Sequence, residues 1–228
     1  MENKFKSLEE KIGIKFKDRK TLQTVFIHKS YMNETREEGV ENNERLEFLG
    51  DAVLELVVTE FLYKTYPNPE GELTNWRSAL VNGSHLATIA KKLNLGEYLT
   101  LGHGEERSGG RTKNYILANT FEALVGAIYL EHGYEVSHQF IDRFVIIYLE
   151  EILEKGMHID PKSQFQEMAQ EKWGITPHYQ LIEDHGPDHA KEFVMALYVG
   201  DKKVAEGKGS SKQNAEEDAA VAALNRKI

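Results

Sequence analysis

The sequence contains no cysteine. That excludes disulfides and cysteine-ligated zinc as sources of stability or chemistry. It also lacks any apolar run near the ~18 residues that a membrane span needs. The opening residues, MENKFKSLEE, hold no apolar signal region and are too acidic for a typical transit peptide. A cytoplasmic protein is therefore expected. There is no basic excess either: the net charge is -9. A protein that coats nucleic acid everywhere is thereby disfavoured. A local basic face is still allowed, because charges are screened over ~10 Å at ordinary salt. An acidic surplus also leaves room for carboxylates that need a cation. Internal repeats and low-complexity segments are absent.

What remains is a chain of 228 residues, 40% hydrophobic. That is enough for one large domain or a medium one followed by a small one. Up to about Gly156 the periodicity is helical. Leu22, Val25 and Phe26 share one helix face. A long helix runs from Glu44 to Tyr66 and stops at Pro67. Another is expected from Glu72 to Leu93. Leu101–Lys113 reads as a glycine-rich loop. Asn114–Glu131 and Val136–Lys155 complete the set, with Gly133 as a break. After a short linker, Met157–Pro161, the pattern changes. A helix over Pro161–Trp173 precedes three strand-like runs, His178–Ile182, Glu192–Val199 and Lys202–Glu206. Gly200 and Asp201 supply the second turn. Ser211–Arg226 closes the chain as an alanine-rich helix. The expectation is a mainly α protein with two domains, residues 1–156 all-helical and residues 157–228 α-β-β-β-α.

The segment NERLEFLGDAVLELVV places Glu44, Glu47, Asp51 and Glu55 along one helical stripe, at spacings of three, four and four. Like charges at those spacings destabilise a helix unless a cation offsets them. A solvated acidic face and a cation site both fit this helix taken alone, with Arg45 as a partial counter-ion in either case. The second helix alters the balance. In YILANTFEALVGAIYL almost every position is apolar or small, as in a helix buried on all sides. Asn119 and Glu122 nevertheless lie inside it, one turn apart. A buried glutamate without a partner costs several kcal/mol. Glu122 needs an arginine from elsewhere, a shared proton or a metal. Oxygen donors suit Mg²⁺, with Mn²⁺ as a substitute. A di-iron bundle is excluded, since no histidine follows Glu44, Glu47 or Glu122 by three residues. His28, His85, His103 and His132 show no metal spacing and read as structural or surface residues.

Asn43–Glu55 resembles the signature of ribonuclease III. Gly109–Glu131 resembles that family's second active-site motif, and the tail from Asp160 is similar to its double-stranded-RNA-binding domain. The resemblance implies a nuclease domain that works as a homodimer on double-stranded RNA, with Mg²⁺ as cofactor. It implies metal ligation by Glu47, Asp51, Asn119 and Glu122, with Asp51 and Glu122 catalytic, and a substrate-network role for Glu44. Phe48 matches an aromatic of the dimer interface; from the sequence alone a core position is an equal alternative. The implied products carry 5′-phosphates and short 3′ overhangs, and the implied work is processing of rRNA and other structured RNA. Where the family most often has aspartate, this chain has Asn119. A second reading is therefore an RNA-binding protein with weakened cleavage.

For the tail, the resemblance implies three RNA contacts: Ser163, Gln166 and Glu167 on its first helix, Pro187 and His189 in the first strand loop, and Lys208, Ser211 and Lys212 at the last helix. In GKGSSKQNAEEDAA, Gly207 and Gly209 are expected to turn the backbone and Ser210 or Ser211 to cap the helix. The helix start, flanked by lysines, suits a phosphate. Residues 158–228 hold 9 Lys+Arg against 12 Asp+Glu. A modest affinity, raised by dimer avidity, is expected.

Overall fold

The computed structural model describes residues 5–35, 39–156, 160–186 and 191–226. The linker core at 157–159, and with it Pro187 and His189 of the strand loop, lie outside the described residues. The chain divides into two compact units, Met1–His158 and Ile159–Ile228. No described helix is long and apolar enough to cross a membrane.

The first unit contains α1 (Lys6–Ile12), α2 (Arg19–Val25), α3 (Lys29–Met32), α4 (Glu44–Thr65), α5 (Glu70–Val81), α6 (Gly83–Lys92), α7 (His103–Arg107), α8 (Asn114–Phe144) and α9 (Leu149–Glu154). Its core is built on α4 and α8. Leu54, Val57 and Val58 of the former and Phe121, Leu124 and Val125 of the latter are fully buried. The helices approach closely because each carries a glycine at the crossing. A Cβ on Gly50 would stand 1.8 Å from the Glu122 carbonyl oxygen, and one on Gly126 would stand 2.2 Å from that of Leu46.

Three expectations are corrected here. The single helix over Glu72–Leu93 is two. Asn82 is extended (φ -66°, ψ 149°) and its side chain caps α6 by accepting from the His85 N–H, so the Asn-Gly pair ends one helix and starts the next. Leu101–Lys113 is not a bare loop: it holds α7 and a 3-10 turn at Gly110–Thr112. Arg111 orders it by donating to the carbonyls of Gly96 and Leu99, each at 2.9 Å. Val136–Lys155 is interrupted by a 3-10 turn at Ile146–Tyr148. The break at Gly133 stands: its φ of 76° bends α8 there.

The second unit contains α10 (Pro161–Trp173), β1 (His178–His185), β2 (Glu192–Val199), β3 (Lys202–Gly209) and α11 (Lys212–Asn225), with an antiparallel sheet in the order β1-β2-β3. β1 and β3 each run three residues past their expected ends, and β1 carries a bulge between Leu181 and Glu183. Phe165, Leu197 and Val204, with Ala219, Ala220 and Ala223 of α11, form its core. Gly207 and Gly209 do not make a turn. They lie in β3, and a Cβ on Gly207 would stand 2.1 Å from the Ala219 nitrogen. Their function is to let α11 lie against the sheet.

Candidate active site and nucleic-acid interface

The glycine crossing places the turn Glu47–Asp51 of α4 against the turn Asn119–Glu122 of α8. Glu122 is part-buried. Burial first, then the charges of Asp51 and Glu47, raise its carboxyl to about 7. Glu47 is also raised, by burial first. A hydrogen bond from the Asn119 amide opposes that rise, while Glu44 and Asp51 add to it. Sequence-predicted Glu47, Asp51, Asn119 and Glu122 are thus within one another's reach. Among the described residues, however, no three carboxylate or imidazole groups converge tightly enough to enclose a cation. Asn119 joins the group as an amide.

The donors suit a hard dication. All are oxygens, and the charged groups acting on Glu122 are anionic. The cation nearest Glu44 is Lys29, at 3.4 Å, not Arg45. Glu55 is exposed one turn past the cluster.

Of the four histidines singled out above, three pack against neighbouring groups and one lies at the surface. His28 is buried, which lowers its pKa, and its Nδ1 accepts from the Ser30 N–H that starts α3. His132 packs edge-on against Phe16. His85 packs edge-on against Tyr148, and His103 is exposed at the start of α7.

Phe48 is 82% exposed, which rules out the core alternative. It stands beside a cleft of about 670 Å³ lined by Lys20, Thr21, Arg45, Leu49 and Leu130 among others. Leu56 and Tyr63 are exposed on the same face of α4. Large contiguous exposed apolar patches are a common feature of interaction surfaces.

In the second unit Ser211 caps α11, accepting from the Asn214 N–H at 3.1 Å. Lys208 and Lys212 are exposed beside it. Lys212 acts electrostatically on Asp184 at the end of β1, so the strand-loop base and the helix start share a face. Gln166 and Glu167 are exposed on α10. Ser163 is exposed too, but its hydroxyl donates to Asp160, the cap of that helix. Lys162 bridges to Glu216 at 2.5 Å and ties α10 to α11.

The elements missed from the sequence are Gly50 and Gly126. Their signal was available: a glycine inside an otherwise strong helix costs ~1 kcal/mol relative to alanine and calls for a packing reason.

Residues 18–149 match the family model described as ribonuclease-III-like, and residues 161–227 match that of the double-stranded RNA binding motif. Ribonuclease 3 of Borreliella afzelii is 46% identical over 216 residues, covering 94% of this chain and 88% of that protein. Ribonuclease 3 of Chloroflexus aurantiacus is 44% identical over 227 residues, covering 98% and 92%. The solved nuclease domain of ribonuclease III from Campylobacter jejuni, whose description names a region involved in dimer formation, aligns at 42% identity with a TM-score of 0.57. It covers 61% of this chain and 94% of its own. Both units are matched, in order and nearly end to end, and the chain belongs to the ribonuclease III family of endoribonucleases.

Proposed function

We propose that this chain hydrolyses phosphodiester bonds of double-stranded RNA at the α4–α8 crossing, with Mg²⁺ as cofactor and Mn²⁺ as substitute. The observation that carries the reading is Glu122, a part-buried acid facing two further carboxylates. When bound, the metal lowers the pKa of water and neutralises charge at phosphorus. The chain's own residues do the rest. Asp51 and Glu122 hold the reacting water's surroundings anionic, Glu47 and Asn119 complete the donor set, and Glu44 with Lys29 borders the substrate. No Ser-His-Asp set is required. The products are duplexes with 5′-phosphates and short 3′ overhangs, from rRNA and other structured precursors, made in the cytoplasm.

The testing experiment is incubation of a long RNA duplex, a single strand and a DNA duplex with the protein, in Mg²⁺ and in EDTA. Cutting of the RNA duplex in Mg²⁺ alone is expected. Equal cutting in EDTA overturns the reading.

Asn119 tests the donor set. Its amide donates to Glu47, so Asn119→Asp exchanges a hydrogen bond for a repulsion in the metal-free protein and adds a negative charge to the site. Mg²⁺ dehydrates reluctantly and binds best to charged oxygens. The variant is expected to melt lower in EDTA, gain more on adding Mg²⁺, and reach half-maximal cleavage at less metal. Unchanged values of all three remove Asn119 from the site. The same variant decides the alternative of weakened cleavage, which predicts a large gain in rate at saturating Mg²⁺.

The exposed face of α4 supports a homodimer through Phe48. Phe48→Glu is expected to shift the sedimenting species toward monomer and to reduce cleavage with it. A dimer of undiminished stability excludes Phe48 from the interface.

The last helix of the second unit supports phosphate contact. Replacing Lys208 and Lys212 together by Ala is expected to lower duplex affinity and to flatten its salt dependence by about two in log-log slope, since each released counterion contributes ~0.9. A slope equal to that of the parent chain removes these lysines from the interface.

A further inference from the structure

Asparagine is among the best helix caps, because its side chain accepts from an orphan N–H of the first turn. Asn43 precedes α4, yet its side chain makes no capping hydrogen bond and its backbone is already helical (φ -82°, ψ -4°). It is 3% exposed. Its Nδ2 instead donates to the Val25 carbonyl at 3.1 Å, and its backbone N–H donates to the Ile27 carbonyl at 2.9 Å. The capping work falls to Asn42, whose Oδ1 accepts from the Glu44 N–H at 3.1 Å and whose Nδ2 donates to the Glu44 carboxylate at 3.0 Å. Two adjacent asparagines thus divide the labour: one caps, the other docks.

The strip to which Asn43 docks is itself fixed. Val25 and Phe26 are buried, and the Phe26 ring lies 5.4 Å from those of Phe5 and Tyr98. Thr100 donates to the Phe26 carbonyl at 2.7 Å and accepts from the His28 N–H at 3.1 Å. At the other end, the Asn43 carbonyl accepts the Glu47 N–H at 2.9 Å, closing the first turn that bears Glu44 and Glu47. The glycine crossing sets how near α4 lies to α8. The buried clamp at Asn43, the residue before α4, holds the end of the helix that carries Glu44 and Glu47.

We propose that Asn43 is a positioning residue of the acidic site: by clamping the start of α4 to residues 25–27 it sets the height and rotation at which Glu44 and Glu47 face Asn119 and Glu122. The proposal rests on the metal-site reading above. Groups that orient metal ligands are typically worth 10–100-fold in metal affinity or activity. A buried hydrogen bond with no orienting role affects stability alone.

The test uses the full chain with Asn43→Asp, which keeps the shape and loses the N–H, alongside Asn43→Ala. Mn²⁺ binding without RNA is read by electron paramagnetic resonance, kcat and KM on an RNA duplex are measured, and circular dichroism establishes folding at the assay temperature. Asn82→Ala, which removes the cap of α6, serves as the stability control, and Glu122→Gln as the site control. The expected result is at least about tenfold weaker Mn²⁺ binding and lower kcat in both Asn43 variants, with KM unchanged and Asn82→Ala like the parent. Folded Asn43 variants that bind Mn²⁺ as the parent does, while Glu122→Gln does not, overturn the proposal and leave the site reading intact. Retained binding in Glu122→Gln overturns both. Failure of both Asn43 variants to fold also overturns it, in favour of a purely structural clamp.

Discussion

Glu122→Gln is expected to reduce duplex cleavage by about 10³-fold or more, the scale of several kcal/mol of lost metal-centred charge stabilisation. Duplex affinity measured in Ca²⁺ is expected to stay within about twofold, because the phosphate contacts proposed for the second unit are untouched. The pH dependence of the metal-free protein provides a second signature. Glu122 is raised to about 7 from the ~4.3 of a free glutamate. Between those values the folded state holds a proton that the unfolded state has released. Stability from this group is therefore full below the unfolded pKa and lost as pH rises through about 7. In EDTA the parent chain should melt progressively lower from pH 5 to pH 8, and Glu122→Gln should show a shallower fall. A residual slope is expected from Glu47, which is shifted in the same direction. With metal present the order reverses, since the ion requires the ionised carboxylate and its affinity rises with pH. Melting curves at four pH values, with and without Mg²⁺, check each sign. Identical slopes for parent and variant in EDTA would place Glu122 in solvent rather than at the crossing.

The period of the carboxylates made the first half of the site legible. Glu44, Glu47 and Asp51 recur at helical spacing, and a stripe is a local property of one segment. Glu122 was legible for a different reason, being an acid in a run too apolar to be solvated. Neither pattern states which helix faces which. That pairing is written in Gly50 and Gly126, and a glycine in isolation reads as a weak point of its own helix. Its meaning appears once the opposing backbone is known, here the carbonyls of Glu122 and Leu46. Gly207 repeats the lesson against α11, where the expectation of a turn failed because closeness, not positive φ, is what the position demands. The Asn82 break was missed because the apolar spacing continues across it, so periodicity outvoted the Asn-Gly signal. Phe48 was undecidable, since an aromatic among leucines looks alike whether the helix face meets its own core or another surface. The structure decides it by exposure alone.

The crossing itself yields the prediction with the largest structural effect. Gly50→Ala would put a methyl 1.8 Å from the Glu122 carbonyl oxygen and 2.8 Å from the Gly126 nitrogen. Both neighbours are backbone inside buried helix, so no side-chain rotation relieves the clash. The helices must separate by an ångström or more, or one must rotate. Overpacking of a core costs about 1–3 kcal/mol and occasionally more, and rigid backbone on both sides argues for the upper end. At about 2–4 °C per kcal/mol for a chain of this size, the melting temperature should fall by roughly 6–12 °C. Cleavage should suffer further than stability. A separation of α4 from α8 moves Glu47 and Asp51 away from Asn119 and Glu122 together, and a misplacement of about 1 Å is worth about 10²-fold in rate. Gly126→Ala meets the Leu46 carbonyl at 2.2 Å and should behave alike. The double variant should fall short of the sum, because helices already parted by one methyl have room for the other. Calorimetry and single-turnover cleavage at 20 °C, where the singly substituted chains remain folded, measure both quantities. A Gly50→Ala chain that loses stability yet cleaves at the parent rate would mean that the donor set does not span the crossing. A chain that loses neither would mean that α4 and α8 do not meet at these glycines.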